Sequence, residues 1–316
     1  MWNLIRNNKN KILMLILCGA GFSSAWAEVL VILPESGPMA RATSSIKQGF
    51  SSAYINSGSK IPLKFVNSHQ MKMSTLLKKH VTKKTQMIVG PLSVAEVDAV
   101  IKAKLKLKVL ALNEGSIQSN NVLQFSLAKR DDAGALASVL NKDQIKDVLI
   151  YRELGRESEN ELFLMALMSK TNMPLNVVSE IPQKLNKNQG LVLLGSNAWL
   201  NEQKALPKKR IYTLANALEQ YQPLPVGIKF CDSPAVHEAK WHDMKHAYVM
   251  QPVELAYQRL LAFGGDAWQI TQNMLAAPKV KEISFEGRTG MLHVQAKQIS
   301  RIPHCYVNHA NGLKRI

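Results

Sequence analysis

The sequence predicts an α/β protein of mostly parallel sheets with helices on both faces, laid down in two rounds. Three observations predict it. Apolar runs such as residues 29–33 and 191–194 are continuous rather than alternating, as strands covered on both faces require. These runs alternate with stretches whose apolar residues recur every three or four positions, the pattern of strand–helix–strand units. The chain has 316 residues, more than one compact core usually holds.

The elements follow in order. Residues 29–33 form the first strand and Pro34-Glu35-Ser36-Gly37-Pro38 the turn after it. Ala42, Ile46, Phe50 and Ala53 then mark a helix. Residues 61–66 read as a strand, Leu76, Leu77 and Val81 as a helix, and residues 87–89 as a strand ending at Gly90-Pro91. Ser93 and Glu96 have capping-box spacing ahead of Val97, Val100 and Ile101, a helix start. Strands at 109–112 and 122–127 close the first round. In the second, Asp131 or Asp132 caps a helix carrying Leu136, Val139 and Leu140. Residues 148–151 are a strand, and residues 161–168 a helix apolar enough to be well buried. Short strands are expected at 177–178, 191–194, 211–214 and 226–230. One helix is expected around Leu255, Leu260 and Leu261, another around Trp268, Ile270, Met274 and Leu275. Strands joined by a Gly287-Arg288-Thr289-Gly290 turn end the chain. The expected division is 28–127 with 248–284 in one lobe, and 128–247 with 285–316 in the other.

A leader precedes the first strand. Arg6, Lys9 and Lys11 give it a positive start, and residues 12–17 an apolar run too short to anchor a chain across a bilayer. Ala25-Trp26-Ala27 puts small residues where a signal peptidase reads, so residues 1–27 are a signal peptide cleaved after Ala27 and the product is periplasmic. Cys18 follows Leu15-Ile16-Leu17 rather than a small residue, so it belongs to the leader's apolar core and carries no lipid anchor. Removing the leader leaves 289 residues, lowers Lys+Arg from 40 to 37 against 23 Asp+Glu, and gives a net charge of +14. On an exported chain that charge points to an anionic membrane surface, an acidic wall polymer or an acidic partner, and away from nucleic acid. The lysines fall into separate clusters: Lys78, Lys79, Lys83 and Lys84; Lys102, Lys104, Lys106 and Lys108; Lys204, Lys208, Lys209 and Arg210. Each reads as a solvated helix or loop face. Cys231 and Cys305 remain after processing. Export permits a disulfide between them, and their spacing neither requires nor forbids one.

No catalytic centre is written in the chain. Ser44-Ser45-Ile46-Lys47 matches the Ser-x-x-Lys pattern of penicillin-binding enzymes, and Ser119-Asn120-Asn121 could stand for their second motif. The third motif is missing, because Lys84-Thr85-Gln86 and Lys170-Thr171-Asn172 lack its glycine. Ser57 and Lys60 repeat the first pattern, which shows how easily it arises. His242 and His246 have metal-ligand spacing, with His237 nearby, but the His-Glu-x-x-His pattern fails. They read as surface histidines, and no metal or cofactor is expected. Nucleophile elbows, phosphate-binding loops and dinucleotide fingerprints are also missing.

The opening strand, turn and helix resemble type I periplasmic binding proteins, as do Gly90-Pro91-Leu92 and Ala111-Leu112-Asn113 after later strands. Later stretches narrow the match: Phe125-Ser126-Leu127 with Asp131, Asp132 and Ala133; Val226 to Phe230 with Asp232 and Pro234; Arg259-Leu260 with Ala262-Phe263-Gly264 and Asp266-Ala267-Trp268; Phe285 to Gly290 with Arg301. This series is similar to the C-terminal domain of the LpoA family, activators of class A penicillin-binding proteins. The resemblance implies a two-lobed domain of that fold and a non-enzymatic regulator whose partner is a class A penicillin-binding protein. Peptidoglycan or another anionic envelope polymer is a further expected partner. Family members carry a helical repeat domain ahead of this one and a lipid anchor, whereas here a leader without a lipobox runs into the first strand, so a reduced, unanchored relative is expected. The alternative is a solute-binding protein that closes on an amino acid or peptide. The fold's cleft, at the carboxyl ends of the strands, makes Ser36, Gly37, Asn113, Glu114 and Tyr151 the ligand-binding candidates. Ser36 and Gly37 would sit at a helix N-terminus, whose amides suit an anion; equally, Gly37 and Pro38 would simply make the turn.

Overall fold

The computed structural model describes residues 27–295 and 298–316. The leader, with its peptidase signal and Cys18, lies outside them. The first round runs β1 (Glu28–Leu33), α1 (Ala40–Asn56), β2 (Leu63–Asn67), α2 (Met73–His80), β3 (Thr85–Val89), α3 (Val94–Lys102), β4 (Lys108–Ala111) and β5 (Val122–Gln124). The second runs α4 (Lys129–Lys142), β6 (Asp147–Arg152), α5 (Glu157–Lys170), β7 (Leu175–Val177), β8 (Gln189–Leu194), α6 (Asn197–Glu202), β9 (Ile211–Tyr212), β10 (Ile228–Asp232) and α7 (Pro234–His237). Then come α8 (His242–Met250), α9 (Leu255–Ala276), β11 (Glu282–Gly287), β12 (Gly290–Gln295), β13 (Gln298–Ile302), β14 (His304–His309) and β15 (Gly312–Arg315).

The strands form two sheets, ordered β11-β12-β13-β5-β4-β3-β1-β2 and β15-β14-β10-β9-β8-β6-β7. The central strands of each are parallel, with antiparallel pairs added at one edge. Strand β1 shows why its sequence is apolar throughout. Val29, Val31 and Leu33 enter the core under α1 and α9, while Leu30 and Ile32 enter a separate core with α2 and α3. The second sheet repeats this, with Val192 and Leu194 on one side and Leu191 and Leu193 on the other. Each such side chain contributes about 1.5–3 kcal/mol by leaving water. The capping box forms as expected: Ser93 accepts from the Glu96 amide, and Glu96 reaches back to Ser93.

Helices α1 and α9 pack with almost no space between their backbones. A Cβ at Gly264 would lie 2.0 Å from the Ile46 carbonyl oxygen, and one at Gly49 1.9 Å from that of Leu261. Trp268 then wedges edge-on against Phe50 and Tyr54, and its indole N–H donates to Ser57.

Four expectations are corrected. Helix α9 is one helix of 22 residues rather than two, because residues 261–268 are buried on every side and so show no amphipathic stripe. Helix α5 is not well buried: Leu162, Met165 and Met168 are exposed and only its other face packs. Helix α4 begins before Asp131 and Asp132, which lie in its first turn beside the positive end of the helix dipole rather than capping it. Strands β12 and β13, expected in the second lobe, lie in the first sheet, where β13 pairs with β5, whereas β14 and β15 join the second. Periodicity identifies a strand but not the sheet edge that receives it.

Cys231 and Cys305 face each other on β10 and β14 and are disulfide-bonded. The bond ties the terminal hairpin to the second sheet. Reduction, or Cys305→Ser, is expected to lower the unfolding free energy by about 2–4 kcal/mol in chemical denaturation; an unchanged midpoint would contradict this. Gly264→Ala is expected to destabilise by about 1–3 kcal/mol in the same assay, because the α1 backbone blocks the new Cβ.

Candidate functional site

The carboxyl ends of β1, β3 and β4 lie side by side and bring four of the five cleft candidates to one end of the first sheet. Asn67 organises the first turn, accepting from the Glu35 amide at 2.9 Å and donating to Ser36 Oγ at 3.2 Å. Gly37 has a φ of 78°, and a Cβ there would come 2.7 Å from the His69 ring. The turn thus needs glycine for its own geometry. Asn113 donates to the Leu92 carbonyl at 2.9 Å and accepts from the Glu114 amide at 2.8 Å. Glu114 accepts from Ser126 at 2.6 Å and Arg130 at 2.5 Å. Burial pushes its carboxyl up, but those hydrogen bonds and the Arg130 charge outweigh burial and hold it below the usual range. Tyr151 lies apart, on the second sheet, stacked on Trp199 with ring centroids 5.3 Å apart. An open cavity of about 440 Å³ separates α1 from the second lobe, lined by Arg41, Ser44, Gln220, Tyr221, Tyr248 and Glu254 among others. None of the five candidates lines it. Lys47 does not activate Ser44: its amine pairs with Glu35 and sits over the Phe65 ring.

Where the chain passes between the sheets, it buries a network of arginines and aspartates. Asp266 on α9 is fully buried and accepts from the Arg288 amide at 2.7 Å, and from the Thr289 amide and hydroxyl at 2.8 and 2.7 Å. Arg288 also pairs with Asp243 of α8 at 2.8 Å. Arg301 of β13 donates to the Thr289 carbonyl at 3.2 Å and to Asp132 of α4 at 2.5 Å, linking the first sheet to a helix of the second lobe. Arg259 of α9 pairs with Asp232 of β10 at 2.7 and 2.8 Å and caps the Ala215 carbonyl. His237 adds a 2.8 Å bond to Asp232.

Burial without partners would be costly for each of these charges. Burial pushes Asp232 up, yet Arg259 and His237 together hold it well below the usual carboxylate range. Full burial raises Asp266 despite the donors gathered on it. Burial also raises Asp131, at the start of α4, to about 6 against the pull of Arg301 and Arg130.

A third group went unnoticed in the sequence because its members are far apart. Glu238, Glu286 and His304 bring three potential metal-ligating atoms within 4.8 Å of one another. Two carboxylates and an imidazole suit a divalent cation, but the charges are already answered. His304 Nδ1 bonds Glu238, Arg315 donates to Nε2, and Lys240 pairs with Glu286. Of the three histidines noted in the sequence, His237 joins the Asp232 network, while His242 and His246 are exposed on α8.

The comparisons with known proteins bear on these elements directly. The LppC lipoprotein family model matches residues 23–156. The penicillin-binding protein activator LpoA of Pasteurella multocida is 22% identical over 297 residues, which is 86% of this chain and 51% of that protein. The LpoA (YraM) C-domain of Haemophilus influenzae, described as a regulator of PBP1A, superposes with a TM-score of 0.73 at 19% identity, covering 92% of this chain and all of that one. A Chromobacterium violaceum protein assigned to branched-chain amino acid ABC transport superposes at 0.75 with 19% identity, over 89% of this chain and 99% of that one. These likenesses show the two-lobed type I periplasmic-binding-protein-like fold. The chain spans about half the length of the curated relatives it matches. Asp132, Asp232, Arg259, Asp266, Arg288 and Arg301, which were among the residues carrying the resemblance in the sequence, belong to the buried network along with Asp243 and His237. Family match, curated relatives and fold agree, and all three make this chain similar to the LpoA proteins over the half of their length that it spans.

Proposed function

We propose that this chain is an exported, non-enzymatic envelope protein that binds and stimulates a class A penicillin-binding protein. The relatives named as activators motivate the reading. One observation favours it over solute binding: the cleft-end side chains that would hold a solute are engaged by the chain itself. Ser36 is bonded to Asn67, Asn113 to Leu92 and Glu114, and Glu114 to Ser126 and Arg130. A ligand would have to compete with the bonds of Asn113 and Glu114, while the Ser36 hydroxyl, which only accepts from Asn67, keeps its hydrogen to donate. Signalling through a partner needs no such exchange.

The second reading, a solute-binding protein with Ser36, Gly37, Asn113, Glu114 and Tyr151 at its ligand, rests on the transporter-like neighbour. Crosslinking followed by capture from envelope extract is expected to recover a class A penicillin-binding protein, whose glycan polymerisation rises on adding the purified chain. Amino acids, peptides and muropeptides are expected to leave the thermal midpoint unchanged. A solute ligand at a hundredfold its Kd would instead add about 2.7 kcal/mol of stability, and such a gain without synthase capture would replace the first reading by the second.

A further inference from the structure

Charge is segregated along the first lobe. Residues 28–130 hold 15 lysines and arginines against five acids. Four of them lie toward the cleft end, and each has a partner: Glu35 with Lys47, Glu96 with Ser93, Asp98 with the Ser116 amide, and Glu114 with Arg130; the fifth, Glu28, starts β1 at the other end and accepts from the Thr85 hydroxyl. At the opposite end, α2 and α3 finish and β3 and β4 begin. There the first two lysine clusters, expected to be separate solvated faces, come together. Lys78, Lys79, Lys83, Lys84, Lys104 and Lys106 are exposed, and none forms a salt bridge among the described residues. Helix α9 ends at the same place, since Lys108 donates to the Pro278 carbonyl, and it adds Lys279 and Lys281. Burial first, and then the charges of Lys64 and Lys79, lower the pKa of nearby His80. The third cluster stays apart, ahead of β9 on the second sheet.

Offsetting helix dipoles accounts for Lys78, Lys79 and Lys102 at helix C-termini. It leaves the loop lysines 83, 84, 104 and 106 unexplained. Two apolar side chains are exposed on this end of the lobe: Ile55 at the end of α1, 74% exposed, and Val280, between Lys279 and Lys281 in the sequence, 50% exposed. We propose that this end of the first lobe docks on an anionic lipid bilayer, with lysines at the headgroups and Ile55 and Val280 entering the headgroup–acyl boundary. Lysine rather than arginine suits a diffuse, mobile anionic surface, because arginine is the residue of fixed bidentate sites. Exposed Ile55 and Val280 would gain nothing from a soluble polyanion but gain from a bilayer. No described helix is long and apolar enough to cross a membrane, so the contact is peripheral. The proposal does not depend on the synthase reading.

The test is co-sedimentation of the purified protein with vesicles. Equal phosphatidylglycerol and phosphatidylethanolamine are expected to retain it, and phosphatidylcholine is not. Retention should fall steeply toward physiological salt, where the screening length is about 8 Å. Reversing Lys83, Lys84, Lys104 and Lys106 to glutamate together should weaken retention by about tenfold or more without moving the thermal midpoint. Ile55→Ser with Val280→Ser should weaken it severalfold while keeping the salt dependence. Failure of the parent protein to sediment with anionic vesicles overturns the proposal, as does undiminished binding by the folded charge-reversed protein. Binding to purified peptidoglycan sacculi without vesicle binding also overturns it, in favour of a wall polymer.

Discussion

A carboxylate with no exposure to water must be met by donors, and Asp266 sets that demand at the centre of this molecule. Its oxygens are answered by the β11–β12 turn, through the Arg288 amide and the amide and hydroxyl of Thr289. The same turn is tied by Arg288 to Asp243 and, through the Thr289 carbonyl, by Arg301 to Asp132. Asp132 sits on a helix of the second lobe, so the chain of partners crosses between the sheets. Arg259 and Asp232 make a second crossing. Removing one member strands its neighbours as buried charges, a loss of about 3–5 kcal/mol. The junction is therefore specified by charge as well as by apolar packing.

This constraint bears on function. A cleft between two lobes serves transport when its polar groups are free to exchange partners with a solute. Here Asn113 and Glu114 are tied to Leu92, Ser126 and Arg130, and Ser126 and Arg130 belong to the segment that leads into the second lobe. The residues placed as a binding-protein scaffold would place them thus act as part of the junction. Such a domain suits contact with a macromolecule across its outer surface, where charge and apolar side chains are unevenly spread.

Much of the fold was legible in the chain. The unbroken run from Val29 to Leu33 told of a strand covered on both faces, and Ser93 with Glu96 told of a helix start. What was lost was lost for physical reasons. Helix α9 is buried all round between 261 and 268, so no stripe marked its continuity. The pairing of β13 with β5 depends on a partner more than 170 residues away, which no local pattern records. Helix α5 is apolar on a face that stays in water, so composition alone overstated its burial. Asp266, Arg288 and Arg301 were visible as a series resembling a family, but their role appeared only when the fold brought them together. The lysine clusters show the same limit, since only the shared direction of the strands gathers them at one end.

Hydrogen exchange read by mass spectrometry on Asp266→Asn tests the central claim most directly. If the buried network couples the lobes, protection should fall in β11–β13 and also in α4 and β10, on the far side of the Arg301–Asp132 and Arg259–Asp232 pairs. Loss confined to the turn around Arg288 and Thr289, with α4 and β10 as protected as before, would contradict it.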